Sequence, residues 1–117
     1  MKRLMKSAIL PPRVMIDCSH ANSGKDHTRQ PAVCRDVAAQ IAAGDRRIAG
    51  VMLESNLVAC AQEHVPGREL VYGQSITDAC IGWEDTHALL VELAQAVRAR
   101  HSATPHSSQP IAVADQV

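Results

Sequence analysis

The sequence predicts an α/β fold with neighbouring parallel strands, and three observations carry that expectation. Two short apolar runs, Val14 to Ile16 within RVMIDC and Ile48 to Leu53 read as IAGVML, follow turn signals and lack polar alternation. Such runs suit strands buried on both faces. Between them Val33, Val37, Ala38 and Ile41 recur at helical spacing, with Pro31 near the start of the pattern and Gly44 just past its end. Pro at the head and Gly at the tail are the expected helix punctuation. Strand, helix, strand is a βαβ crossover, which is right-handed in about 98 % of cases.

Length and composition bound what such a chain can be. With 117 residues it forms one domain at most. Twelve Lys and Arg balance twelve Asp and Glu, and no long run of one sign occurs, which argues against nucleic acid or an anionic membrane as partner. The chain is 46 % hydrophobic, yet Trp83 and Tyr72 are its only aromatics. The core is therefore expected to be aliphatic, built from Val, Ile, Leu, Met and Ala. Cys18, Cys34, Cys60 and Cys80 form no Cys-x-x-Cys pair and no dense disulfide framework, which suits a reducing cytoplasmic location. The stretch Ala8-Ile9-Leu10 before Pro11-Pro12 is too short for a signal peptide or a membrane span.

The remaining elements follow in order. Leu4, Met5 and Ala8 suit one face of a short helix that Pro11 and Pro12 end. Residues 55–77, holding Pro66-Gly67 and Gly73, make a connection far longer than the usual four to six or so residues, the kind that is functional or disordered. From about Trp83 to Arg100 an amphipathic helix is expected, with Leu89, Leu90, Leu93 and Val97 on one stripe. Glu84 and Asp85 at its head and Arg98 and Arg100 at its tail complement the helix dipole. Residues 101–117, rich in Ser, Pro, Ala and Gln, read as a disordered tail. Gly50 is expected to permit close backbone approach, and Trp83 to act as a packing anchor.

Spacing also suggests where chemistry would sit. His20 falls just past the first strand and Glu54 just past the second, at the carboxyl ends where α/β folds place their sites. Strands about 4.7 to 4.9 Å apart let such side chains converge. Asp78, at the far end of the long connection, offers a third donor. One imidazole and two carboxylates suit Mn, Fe, Co or Zn, although the same residues also suit simple polar caps of strand ends. Lys25 and Arg29 read as solvated loop charges, and His27, His64, His87, His101 and His106 as surface residues. Ser23-Gly24-Lys25-Asp26 is no phosphate loop, since Asp26 stands where Ser or Thr would hold magnesium.

The strings VMIDCSHANS, VMLESNLV and YGQSITDACIGWEDT resemble consecutive signature segments of one enzyme family. It is class I 3-deoxy-D-arabino-heptulosonate 7-phosphate (DAHP) synthase of the phenylalanine- and tyrosine-sensitive type, which opens the shikimate pathway of aromatic amino acid biosynthesis. The resemblance runs from about Leu4 to Arg100 and covers the family's carboxy-terminal third. It implies that residues 1–100 are the last two βα units of a (β/α)8 TIM barrel, incomplete as a stand-alone chain, with 101–117 as tail. It further implies a transferase that condenses phosphoenolpyruvate with erythrose 4-phosphate in an aldol-type step. By motif, the divalent metal ligands would be His20 of SHAN, Glu54 of ESN and Asp78 of ITDAC, with His20 as the catalytic residue. The fourth ligand of the family, a cysteine on the first barrel strand, has no counterpart among Cys18, Cys34, Cys60 and Cys80.

The chain also departs from that pattern. Ile9 stands before Leu10-Pro11 where relatives usually have glycine, and Cys60 stands inside the long connection where glycine is expected. The isolated chain is expected to be inactive, because the phosphate-binding Arg and Lys of the family come mainly from other strands. Two strands leave exposed edges that favour self-association. Two alternatives remain open at this point: a non-catalytic remnant or interaction module, and a small βαβ ligand-binding domain using the same crevice.

Overall fold

A computed structural model of the chain describes residues 11–103. The helix expected around Leu4 to Ala8 and the tail from 104 onward lie outside the described residues. Strand β1 (Val14–Asp17) and strand β2 (Ile48–Met52) pair in parallel, with Val14 opposite Ile48, Met15 opposite Gly50 and Asp17 opposite Met52. The pairing continues past β1, where the Cys18 amide donates to the Met52 carbonyl at 2.9 Å.

Helix α1 (Gln30–Ala42) crosses between the strands, with Pro31 in its first turn. A proline is tolerated there because that amide has no partner within the helix. Val37, Ala38 and Ile41 turn inward and are buried, matching the helical spacing of the sequence. The helix stops where Gly44 takes φ +110°, a left-handed value that disfavours side chains, and its amide donates to the Ile41 carbonyl.

Helix α2 (Trp83–Ser102) begins with Glu84 and Asp85 and runs two residues beyond Arg100, into the stretch expected to be tail. Its apolar stripe is narrower than expected. Leu89 and Ala96 are buried and Leu93 packs against the core, whereas Leu90 and Val97 are exposed. Consecutive helical residues are rotated by about 100°, so Leu89 and Leu90 cannot both face one supporting layer. Arg100 does more than complement the dipole: its guanidinium donates to the Asp45 and Ile48 carbonyls, both at 2.9 Å. That clamps the end of α2 to the start of β2. Asp45 itself is buried and accepts from the Arg47 guanidinium and amide.

The core is aliphatic, as composition requires. Ile16, Val37, Ala38, Ile41, Ile48 and Ala96 form one cluster, and Cys18, Cys34, Ile81 and Leu89 a second nearer the carboxyl ends of the strands. All four cysteines are free thiols. The hydrogen bond with Cys34, followed by burial, pushes the Cys18 thiol well up, while the same hydrogen bond lowers the Cys34 thiol. Met15 takes no part, and the expectation of strands buried on both faces fails on the side away from the helices. Met15 is 70 % exposed there, because two strands cannot curl far enough to enclose a second layer. Nor does Trp83 anchor the packing, being half exposed. Gly50 shows no close approach: a Cβ there would come no nearer than 3.7 Å to Met15.

The long connection is tied down rather than loose. Its two limbs run together, with amide donations from Asn56 to the Ile81 carbonyl, Ile81 to Glu54, Val58 to Gly73 and Gln62 to Ser75. Cys60 and Cys80 exchange both of their backbone hydrogen bonds. The Gln62 amide group donates to the Val71 and Gln74 carbonyls from inside the loop. Cys60 takes φ +76°, the left-handed conformation that explains why glycine suits this position better than any other residue. Among the described residues no helix is long and apolar enough to cross a membrane.

Candidate metal centre

His20, Glu54 and Asp78 are brought together at the carboxyl rim of the strand pair. Their nearest donor atoms all lie within 4.8 Å of one another. His20 Nε2 is 3.8 Å from Glu54 Oε2 and 3.9 Å from Asp78 Oδ2. The three come from different elements: His20 opens the 3-10 turn His20–Ser23 that follows β1, Glu54 lies just past β2, and Asp78 ends the long connection.

Local structure explains how each is held. His20 takes φ +49°, a left-handed value in which histidine is enriched over most residues. Its Nδ1 is 2.9 Å from Asp17 Oδ2, so Nδ1–H donates to the Asp17 carboxylate and Nε2 faces Glu54 and Asp78. That is the carboxylate-imidazole arrangement that orients metal-ligating histidines. The hydrogen bond to Asp17, with the added negative charge of Asp17, Glu54 and Asp78, raises the His20 pKa above its ordinary value. Asp17 is oriented in turn by the Ser19 amide at 2.8 Å.

Glu54 is held from two sides. The Ser19 hydroxyl donates to its carboxylate. The fully buried Gln30 side chain brackets its backbone, accepting from the Glu54 amide at 2.8 Å and donating to the Glu54 carbonyl at 3.1 Å. Asp78 is more exposed and depends on the loop ties described above. These residues line a cavity of about 240 Å³ with Ser19, Lys25, His27 and Ala79.

One imidazole nitrogen and two carboxylates form a donor set that fits a divalent transition ion. For bonds of about 2.0 to 2.2 Å, adjacent donors sit about 3.0 to 3.5 Å apart, so closing around an ion takes side-chain shifts of roughly an ångström. The chain's other expected features fall out unevenly. Arg29 is exposed and pairs with Asp26 at 3.9 Å, and His64, His87 and His101 are exposed. Lys25, by contrast, lines the cavity, and so does the half-buried His27. His106 lies outside the described residues. Sequence reasoning missed Asp17, Ser19, Gln30 and His27. A carboxylate three residues before a candidate ligand was a usable signal for Asp17, but nothing local marks Gln30.

The fold and site together define an α/β protein whose candidate ligand side chains gather beyond the carboxyl ends of neighbouring parallel strands. Comparison with known proteins narrows this class. Residues 1–91 match the model of the DAHP synthetase I family, and the chain belongs to that family. It is 58 % identical over 99 residues to the Phe-sensitive phospho-2-dehydro-3-deoxyheptonate aldolase of Escherichia coli (strain K12), covering 85 % of this chain and 28 % of that protein. It is 52 % identical over 100 residues to the tyrosine-inhibited aldolase of the same name from Schizosaccharomyces pombe, covering 82 % and 27 %. The structure of phospho-2-dehydro-3-deoxyheptonate aldolase from Francisella tularensis SCHU S4 superposes with a TM-score of 0.70 at 50 % identity, over 75 % of this chain and 25 % of that one. The chain thus spans about a quarter of the length of the relatives it matches.

Proposed function

We propose that this chain supplies the carboxy-terminal βα units of a DAHP synthase barrel, and that His20, Glu54 and Asp78 are three ligands of its divalent metal. The convergence of one imidazole and two carboxylates at the strand rim is the observation that carries the reading. Family membership and the partial superposition on a relative support it. The open sheet face around Met15 suits an interior that further strands would close.

In that role the substrates are phosphoenolpyruvate and erythrose 4-phosphate. A bound ion would supply Lewis acidity toward the aldehyde oxygen. This chain's residues contribute positioning: Asp17 keeps the His20 proton on Nδ1, Ser19 and Gln30 fix Glu54, and the tied loop presents Asp78. Lys25 is the cation that lines the cavity and would face an anionic substrate group. Condensation by this chain alone is not expected, since two phosphorylated anions need more positive charge than one lysine offers.

Calorimetric titration with Mn tests the ligand assignment. The expected result is weak binding that His20→Ala abolishes and that His64→Ala and His87→Ala leave unchanged. Binding indifferent to His20→Ala would place the ligands elsewhere and overturn the reading.

A further inference from the structure

We propose that His27 and Cys60 form a second metal site, a thiolate-imidazole pair for a thiophilic divalent ion such as Zn. The inference goes beyond the His20, Glu54 and Asp78 centre and does not depend on it. Cys60 Sγ lies 3.6 Å from His27 Nε2. An ion bonded at about 2.3 Å to sulfur and about 2.0 to 2.1 Å to nitrogen in tetrahedral geometry separates those two donors by about 3.5 Å. The pair therefore already has the spacing of one edge of a zinc tetrahedron, whereas the donors of the three-residue centre must close inward before they can share an ion.

Both donors are held in place by their backbones. Cys60 is fixed by two hydrogen bonds with Cys80, its amide donating at 2.8 Å and its carbonyl accepting at 3.2 Å. His27 sits in the 3-10 turn His27–Arg29, whose start is capped by Asp26 accepting from the Thr28 amide at 3.0 Å. The thiol is exposed and the imidazole half-buried against the cavity, so an ion and its waters can reach both. Binding requires the neutral imidazole with its proton on Nδ1, and it releases the Cys60 thiol proton to solvent. Two protein donors leave the remaining positions to water or to a small anion.

Cobalt titration of the full chain, with a reductant that carries no thiol, tests the proposal. Thiolate ligation to cobalt produces a charge-transfer band in the near ultraviolet that nitrogen and carboxylate ligands do not. The expected result is such a band in the unaltered protein, absent from Cys60→Gly, and retained in His20→Ala. His27→Gln should raise the cobalt concentration needed for the band by at least about tenfold, the size of effect seen even for outer-shell partners. Glycine suits the left-handed backbone at position 60, so Cys60→Gly removes the thiol without threatening the fold. A protein without the band, a band that survives Cys60→Gly, or one lost in His20→Ala would each overturn a second site at this pair. The three-residue centre is read separately, from the manganese titration.

Discussion

The two faces of the parallel strand pair differ sharply. On one side Ile16 and Ile48 lie under α1 and α2, at 5 % and 2 % exposure; on the other, Met15, next to Ile16 in sequence, stands 70 % exposed. Alternation along a strand sends neighbouring residues to opposite faces, so one tripeptide serves both a finished core and an open surface. The outer side of α2 repeats the contrast, with Leu89 buried and Leu90 and Val97 exposed. The covered face holds the unit together. On the open face Met15 has no layer above it among the described residues, which fits the quarter-length match to a larger family fold.

Truncation within the covered face should have the largest effect. Leu89 is fully buried beside Cys18, Cys34 and Ile81, and Leu89→Ala is expected to cost about 2 to 5 kcal/mol. Against the roughly 5 to 15 kcal/mol of a typical domain, much of the stability would go. A urea titration followed by circular dichroism would register the lower midpoint; an unmoved midpoint would mean that this cluster does not hold α2 down.

The rim that joins the two faces gives an intermediate effect. Because the Asp17 hydrogen bond raises the His20 pKa, the imidazolium form contributes stability that is complete below the unfolded-state pKa and is lost as pH rises through the raised folded value. On the proposed ligand assignment a metal ion would compete with that proton for Nε2, so manganese affinity should climb as pH rises through the raised pKa and then level off. In Asp17→Asn the climb should begin at lower pH, while affinity on the plateau falls by about 10- to 100-fold. Titrations across pH would show both; an unshifted rise with unchanged plateau would remove Asp17 from the centre.

Substitution on the open face should be nearly silent. Met15→Ser is expected to move folding stability by no more than about 0.5 kcal/mol, because the side chain already faces water. A loss as large as that of Leu89→Ala, or one that grows with protein concentration, would show that this face is covered by association between chains. Repeating the measurement at several concentrations separates these outcomes.

Sequence patterning carried much of this architecture. Unbroken apolar runs mark β1 and β2, Pro31 and Gly44 bracket α1, and the position of His20 and Glu54 just past the two strands puts them at one rim from sequence order alone. Those features are local or follow from strand adjacency alone. The oddity of Cys60 was also visible as a thiol where glycine belongs, although only the φ of +76° shows why.

Other features depended on contacts between residues far apart in the chain. Which side of each strand is covered is decided by where α1 and α2 pack, and three apolar letters in a row carry no sign of it. Gln30 reaches Glu54 across 24 positions, so its part in the site has no local signature. His27 and Cys60 are separated by 33 positions and meet only because the long connection folds back on itself through backbone hydrogen bonds. Periodicity, turn residues and motif order therefore settled the elements and the rim; the docking of the helices and the path of the loop decided which faces are dry and which side chains share the cavity, since both are set by packing and hydrogen bonding over distances that no short stretch of sequence records.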